Sequence, residues 1–299
     1  MEKRLREKIK MGKIRITADS TCDLSESLLQ KYEISILPLN IVLDMKSYSD
    51  GEEISPDEIY AWSEKKHKTP KTAAVAYDRA LEMASAFQKN GDEMIFFGIS
   101  ESMSTTCNVM RMVKEELNYT GMYIIDSKNL STGIGLQVLR AAELAAQGLA
   151  AQGLAAQEIV TQIEQERGRV RASFVVERLD YLAMGGRCSS VVALFGGKLK
   201  LKPRIEVMDG KMEAGKKYRG NQDKVILKYV QDMEMQLRQA DPHRIFITHS
   251  GCEEAVIRSV EEYLKGLHHF EEILITRAGG VISSHCGPGT LGVLFYEKG

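Results

Sequence analysis

The stretch Met94-Ile-Phe-Phe-Gly-Ile-Ser-Glu-Ser-Met-Ser-Thr-Thr-Cys-Asn108 constrains the fold more than any other part of the chain. It opens as an apolar run, Met94 to Ile99, of the length of a buried strand. It then breaks into small hydroxyl residues, Ser100, Ser102, Ser104, Thr105 and Thr106, and continues with Val109, Met112, Val113 and Leu117 at helical spacing. A strand that ends in a hydroxyl-rich turn opening a helix is a ready anion site. The first helical N–H groups have no partner within the helix, and the helix dipole is positive there. The commoner role of Ser104 or Thr105 in such a place is an N-cap, and the local pattern leaves both readings open.

The same unit recurs. Lys13–Ala18 reads as a strand, followed by Asp19-Ser-Thr-Cys-Asp-Leu-Ser25 and a helix from about Ser25 to Tyr32. Gly121–Ile125 reads as a strand ending in Asp126-Ser-Lys-Asn-Leu-Ser-Thr-Gly133, with a long Ala/Leu/Gln helix after it to about Ala146. Between these units, Ile34–Leu43 is β-rich, and Pro38 within it marks an edge or a bend. An Asp50-Gly51 turn and a capping box, Ser55-Pro-Asp-Glu58, come next; the box starts a helix that ends near Lys66. Lys68–Val75 reads as a loop, with Thr72 heading the helical run Tyr77–Lys89. Ala145–Gln157 carries a five-residue duplication that does not match the helical period, so it reads as an insert between helices, before a helix over Glu158–Arg167. Strands alternating with helices predict a parallel, doubly wound sheet.

The pattern changes near Arg169. Val170–Val176 reads as a strand, and Glu177–Met184 as a short helix broken by Gly185-Gly186. Arg187-Cys-Ser-Ser190 leads into Val191–Phe195 and Gly196-Gly197. Strands Pro203–Met208 and Lys211–Lys217 flank the hairpin signal Asp209-Gly210. A helix over Gln222–Gln239, a strand over Arg244–Thr248, a helix over Cys252–Leu267 and a strand over Glu272–Thr276 follow. Gly279–Gly289 then leads to a last strand, Leu291–Tyr296. The expected fold is α/β. A Rossmann-like three-layer domain with a parallel sheet spans residues 13–167, an α/β domain with a mixed sheet spans 168–299, and residues 1–12 form a solvated leader.

Charge is balanced, with 40 Lys+Arg against 41 Asp+Glu, and no basic stripe follows the first ten residues, which argues against a nucleic-acid partner. No run approaches the length of a membrane span, and the N-terminus lacks the apolar core of a secretory signal. The five cysteines are scattered without a C-x-x-C pair, which suits free thiols in a reducing cytoplasm and no zinc site.

No phosphate-binding loop, dinucleotide fingerprint or nucleophile elbow is present. His249 and His285 lie far apart without clustered carboxylates, so no metal site is expected; His243, His268 and His269 read as surface residues. Asp19 and Asp126 each end a strand, where N-capping is their commoner role. What remains is a set of hydrogen-bonding groups: Thr72, Ser104, Arg187 after its Gly-Gly break, and His285 before a rigid Gly-Pro-Gly turn. Hydroxyls and an imidazole hold a small anion such as a carboxylate without a full counter-charge. His285 taken alone is more often structural, and Arg187 alone more often a surface ion pair.

Several short motifs occur in order: Asp19-Ser-Thr-Cys-Asp-Leu24, Pro70-Lys-Thr72, Ile99-Ser through Ser104-x-Thr106, and Asp126-Ser-Lys-Asn-Leu-Ser131. Leu179-Asp-Tyr-Leu with Gly185-Gly-Arg187, Lys202-Pro203, Asp209-Gly210, Tyr218-Arg219 and His285-x-Gly-Pro-Gly289 follow. In their number, order and spacing, from Lys13 to Glu297, the chain resembles the DegV family of bacterial fatty-acid-binding proteins, the lipid-carrying partners of a fatty acid kinase. The resemblance implies a monomeric, cytoplasmic carrier that is not itself an enzyme and uses no cofactor beyond the bound long-chain fatty acid. It implies that Thr72 and Ser104 hold the carboxylate, with Arg187 and His285 in the same polar network, and that a separate kinase phosphorylates that carboxylate. It places kinase docking around Arg219. Two stretches differ from the family's usual sequence: Ala73-Ala-Val75 stands for Ser-Gln-Pro, and Thr105 stands for a glycine, which limits φ at that turn. The alternative from another class is a phosphate-handling transferase acting on a small amphiphile through Asp19, Ser104 and His285. A third reading is an interaction module with a vestigial pocket.

Overall fold

The computed structural model describes residues 12–150, 155–192 and 201–299. The leader expected over 1–12 lies, but for Gly12, outside the described residues, as do part of the duplication and residues 193–200 with Gly196-Gly197. The first half runs β1 (Ile14–Asp19), α1 (Glu26–Lys31), β2 (Ser35–Leu37), β3 (Asn40–Leu43), β4 (Lys46–Ser49), α2 (Pro56–Lys66), β5 (Lys71–Ala73), α3 (Tyr77–Lys89), β6 (Glu93–Gly98), α4 (Thr106–Glu116), β7 (Met122–Asp126), α5 (Thr132–Ala150) and α6 (Ala156–Glu166). The second half runs β8 (Val170–Val175), α7 (Leu179–Gly185), α8 (Ser189–Val192), β9 (Lys202–Met208), β10 (Lys211–Tyr218), α9 (Gln222–Asp232), α10 (Glu234–Arg238), β11 (Ala240–Ser250), α11 (Glu254–Gly266), β12 (Glu272–Arg277), α12 (Gly280–Cys286) and β13 (Thr290–Glu297).

A four-stranded parallel sheet, ordered β2-β1-β6-β7, is the doubly wound unit that the alternation predicts. A six-stranded mixed sheet is ordered β10-β9-β8-β13-β11-β12. The β-rich run Ile34–Leu43 divides at Pro38, which has no N–H to give a ladder. β2 forms an edge of the parallel sheet, while β3 joins a small antiparallel sheet, β4-β3-β5.

Helix α5 joins the two large sheets, packing on β1 and β6 and also on β8 and β13. Ile134, Leu136, Val138, Leu139, Ala141 and Leu144 are all buried, the pattern of a helix with apolar residues all round. The core around it is continuous, from Ile95 and Phe97 of β6 to Phe174 of β8 and Leu294 of β13. The helix continues to Ala150 and so takes in residues read as an insert.

Four further expectations are corrected. Lys71–Ala73 is a strand rather than loop, paired with β3 so that Thr72 lies opposite Ile41. Gly280–Cys286 is a helix where none is expected. The helix over Gln222–Gln239 breaks at Met233 into α9 and α10. In α4, Met112 is exposed, and Met110 takes the buried place beside Val113. The capping box at Ser55 and Glu58 forms as read.

Gly280 sits where α12 meets the small sheet and α2. A Cβ there would lie 2.6 Å from Ile41 Cδ1 and 2.8 Å from both Ile59 Cδ1 and Asp50 Oδ1. Gly280→Ala is therefore an overpacking substitution. It is expected to lower stability by about 1–3 kcal/mol, read in urea titration as a lower midpoint at unchanged m value.

Candidate functional site

The order of the parallel sheet reverses between β1 and β6, and in open α/β sheets ligands sit outside the carboxyl ends of strands at such a point. A cavity of about 470 Å³ opens there, lined by the loop after β6, by β5, by α12 and by Met212 of β10. All four residues singled out for anion binding line it: Thr72, Ser104, Arg187 and His285. The apolar wall includes Leu39, Ile99, Met103, Leu130, Met212 and Ile282. Leu130, Ile282 and Cys286 also border a smaller void of about 20 Å³ that reaches Phe174 and Leu294 of the mixed sheet.

Thr72 and His285 meet directly, with Oγ1 2.8 Å from Nε2. Thr72 does not head a helix as expected. The N-cap of α3 is Ala76, and alternation along β5 turns Thr72 inward between the exposed Lys71 and Ala73. Ser104 precedes the first turn of α4. Its Oγ accepts the Thr106 N–H at 3.3 Å and lies 3.0 Å from Thr106 Oγ1. Thr105 is the N-cap by position but makes no side-chain capping bond. Its φ of −90° is ordinary for threonine, so the turn works without glycine here.

The Arg187 side chain is exposed; it donates through Nη1 to Gly185 O at 2.7 Å and through Nε to Met103 O at 3.4 Å. His285 is held down to about 4, first by burial and then by the charge of Arg187, so the imidazole is neutral at pH 7. Its Nδ1 is buried with no hydrogen-bond partner among the described residues. Glu101, at the rim, bonds to the Arg111 guanidinium.

Other candidates lie elsewhere. Asp19 caps the turn after β1, accepting the Thr21 N–H, and its second oxygen accepts the Ile99 N–H at 2.8 Å, tying β1 to the end of β6. Burial pushes its carboxyl up to about 6, and it does not line the cavity with Ser104 and His285. Arg219 is exposed just beyond β10 and does not line the cavity either. His269 is half-buried rather than a surface residue, with Nε2 2.9 Å from Ala240 O. All five cysteines are free, and among the described residues no cluster of three or more His, Cys, Asp or Glu is placed to hold a metal.

Sequence reasoning missed the clasp that closes one wall. Ser100 Oγ donates to Gly210 O at 2.7 Å, and Lys128 Nζ pairs with Asp209 at 2.6 Å. The hairpin signal Asp209-Gly210 marked the turn but not the docking that brings Met212 to the cavity. A larger cleft, about 600 Å³, lies over β8 and β9. Its cations already have partners: Lys128 with Asp209, Arg171 with Glu297, Arg204 with Glu206, and Arg167 with the Asp126 carbonyl.

The model of the uncharacterised DegV family matches residues 13–298. The chain belongs to the DegV family. A DegV domain-containing protein of Clostridium perfringens is 31% identical over 288 residues, covering 96% of this chain and 100% of that protein. A fatty-acid-binding DegV family protein from Thermus thermophilus superposes with a TM-score of 0.86 at 28% identity, covering 96% of this chain and 100% of that one. A stearic acid-binding protein from Eubacterium ventriosum superposes with a TM-score of 0.82 at 25% identity, covering 96% of this chain and 99% of that one.

The His285 shift sets a pH dependence. Because the folded value is about 4 against an ordinary 6.5, protons bind the unfolded chain more readily between those values. The stability that neutral His285 supplies is intact above 6.5 and falls as the pH drops toward 4. Urea titrations of the wild type and His285→Gln at pH 7 and pH 5 are expected to show the wild type losing about 2 kcal/mol more than the variant.

Proposed function

We propose that this DegV-family chain is a cytoplasmic, monomeric carrier that buries a long-chain fatty acid and presents its carboxylate to a separate fatty acid kinase. The observation that carries this reading is the meeting of Thr72, Ser104, Arg187 and His285 on one largely apolar cavity of about 470 Å³. That volume falls within the usual range of small-molecule sites. The fatty-acid-binding relatives from Thermus thermophilus and Eubacterium ventriosum support it. No helix among the described residues is long and apolar enough to cross a membrane, so the reading gives the lipid a pocket rather than a bilayer to occupy.

The energetics divide between tail and head. A chain of roughly sixteen carbons gains about 0.8 kcal/mol per buried methylene, so the tail dominates affinity. The head has only to be satisfied, because an unpaired buried carboxylate is costly. The hydroxyls of Thr72 and Ser104 donate to it, and the first turn of α4 adds a positive dipole end. Arg187 already donates to two backbone carbonyls and gives no bidentate clamp. The carboxylate oxygen thus remains nucleophilic. In the kinase complex it attacks the terminal phosphorus of ATP, forming the acyl phosphate and releasing ADP. The kinase brings the nucleotide and the metal chemistry, and Arg219 belongs to the surface that meets it.

Mass spectrometry of an organic extract of gently purified protein tests the reading. One fatty acid per chain is the expected result, and an empty extract with no uptake of added fatty acid overturns it. Thr72→Ala and Ser104→Ala are each expected to weaken fatty-acid binding about tenfold or more, the scale of a hydrogen bond to a charged group. Arg219→Glu is expected to keep lipid affinity while losing turnover with the kinase.

A further inference from the structure

The two nitrogens of His285 have opposite surroundings. Nε2 lies 2.8 Å from Thr72 Oγ1. Nδ1 is buried, has no partner among the described residues, and faces Gly185. A Cβ built on Gly185 would meet the imidazole three times over: Nδ1 at 2.4 Å, Cε1 at 3.2 Å and Cγ at 3.5 Å. The ring is thus flush against the glycine backbone, with no acceptor there for a proton on Nδ1.

A neutral imidazole carries one proton, and its position decides what Thr72 can do. Either form leaves Nδ1 without a partner, but a buried N–H goes unpaired more rarely than a buried acceptor, so a proton on Nδ1 is the costlier arrangement. On Nε2 it is donated to Thr72 Oγ1, and the bare Nδ1 rests against a C–H surface. With Oγ1 accepting from His285, the threonine's own proton has to point away from the ring, and Thr72 lines the cavity.

We propose that Gly185 is a positioning residue that fixes His285 in its Nε2–H form, so that Thr72 meets the ligand only as a donor and selects an acceptor head group. This rests on the carrier reading and deepens it. The chain runs from His285 Nε2–H to Thr72 Oγ1, and from Thr72 O–H to a ligand oxygen. A carboxylate satisfies it at either oxygen. A primary amide of the same acyl chain satisfies it only with its carbonyl oxygen turned to Thr72, leaving its NH₂ to the other groups of the site. The same residue acts a second time, because its carbonyl holds Arg187 Nη1 at 2.7 Å. A side chain at position 185 would therefore displace the imidazole and shift the anchor of the guanidinium together. Gly186, with φ of 68°, serves only the left-handed cap that ends α7.

Long-range ¹H–¹⁵N NMR of the lipid-free, full-length chain labelled in histidine tests the first half of this at pH 7. The expected spectrum shows His285 neutral, with its proton on Nε2. A proton on Nδ1, or an imidazolium, overturns the proposal whether or not the protein binds lipid. Competition between hexadecanoic acid and hexadecanamide tests the second half. The wild type is expected to prefer the acid at least tenfold. Thr72→Ser is expected to keep that preference, while Thr72→Val and Gly185→Ala lose it. A folded Gly185→Ala chain that keeps both the Nε2–H form and the preference overturns the role of the glycine. Should that variant not fold, the wild-type spectrum and the two Thr72 variants decide the matter. A wild type that binds neither acid nor amide removes the carrier reading, and the spectrum alone then upholds or overturns the fixed tautomer.

Discussion

Two buried aspartates hold the first turn of α12, and the candidate site depends on them. Asp23 accepts the Gly279 N–H at 2.8 Å, and Asp50 accepts the Gly280 N–H at 2.7 Å. Their other oxygens take the hydroxyls of Ser131, at 2.5 Å, and Ser20, at 2.8 Å. Burial drives both carboxyls upward, Asp23 to about 8, while these donors and the helix N-terminus work against that shift. At the other end, Ser250 Oγ donates to Gly287 O at 2.8 Å, and the Tyr60 hydroxyl bonds to Ser250. A helix of seven residues has little stability of its own. Its position is set by the loop after β1, the residue after β4, α2 and β11, and that position places His285 against Thr72.

Long-range pinning also explains what the sequence could and could not disclose. The strands of both large sheets are apolar runs, the capping box at Ser55 carries its own partner three residues on, and the Asp209-Gly210 hairpin is a local signal. These elements are legible because their causes lie within a few residues. Strand β5 is three residues long, too short for any period, and is extended because β3 pairs with it. Residues 279–289, rich in Gly and Ser and carrying Pro288, look like a turn. They start a helix because Asp50 and Asp23 cap them from 230 and 256 residues away. The four cavity residues were readable as family motifs, since periodicity says nothing about which hydroxyls meet. Gly185 was readable as a helix break and as part of the Gly185-Gly-Arg187 motif, but not as a neighbour of His285, because that contact spans a hundred residues of chain.

The two clefts differ in how their polar groups are used. The larger holds more charge, yet each of its basic groups already has a carboxylate or a carbonyl beside it. The exposed pairs among them, Lys128–Asp209 and Arg171–Glu297, contribute little to stability. The smaller carries one exposed guanidinium turned onto backbone carbonyls, four hydroxyls (Thr72, Ser102, Ser104 and Thr105), the Glu101 carboxylate at its rim and a neutral imidazole. Its polar groups are few and their directions are set.

That economy suits a ligand whose affinity resides elsewhere. On the proposed carrier reading, burial of methylenes supplies most of the binding, and a strong head-group clamp would add affinity at the cost of masking the oxygen offered to the kinase. On that reading, weak, directed donors would distinguish one head group from another while leaving that oxygen open. The apolar wall follows the same division. Met103 and Met212 are unbranched and adapt to an uneven surface, so the wall can follow a chain of varying shape. Met212 reaches that wall on a hairpin whose tip Ser100 and Lys128 hold down and whose second strand Cys188 and Ser190 bond at Met212 O and Ala214 N. The clasp and the polar end are joined through one loop: Ser100 carries the clasp and accepts the Ser104 N–H at 3.1 Å, and the Met103 carbonyl accepts from Arg187, so on the proposed reading a shift of the hairpin reaches both tail and head.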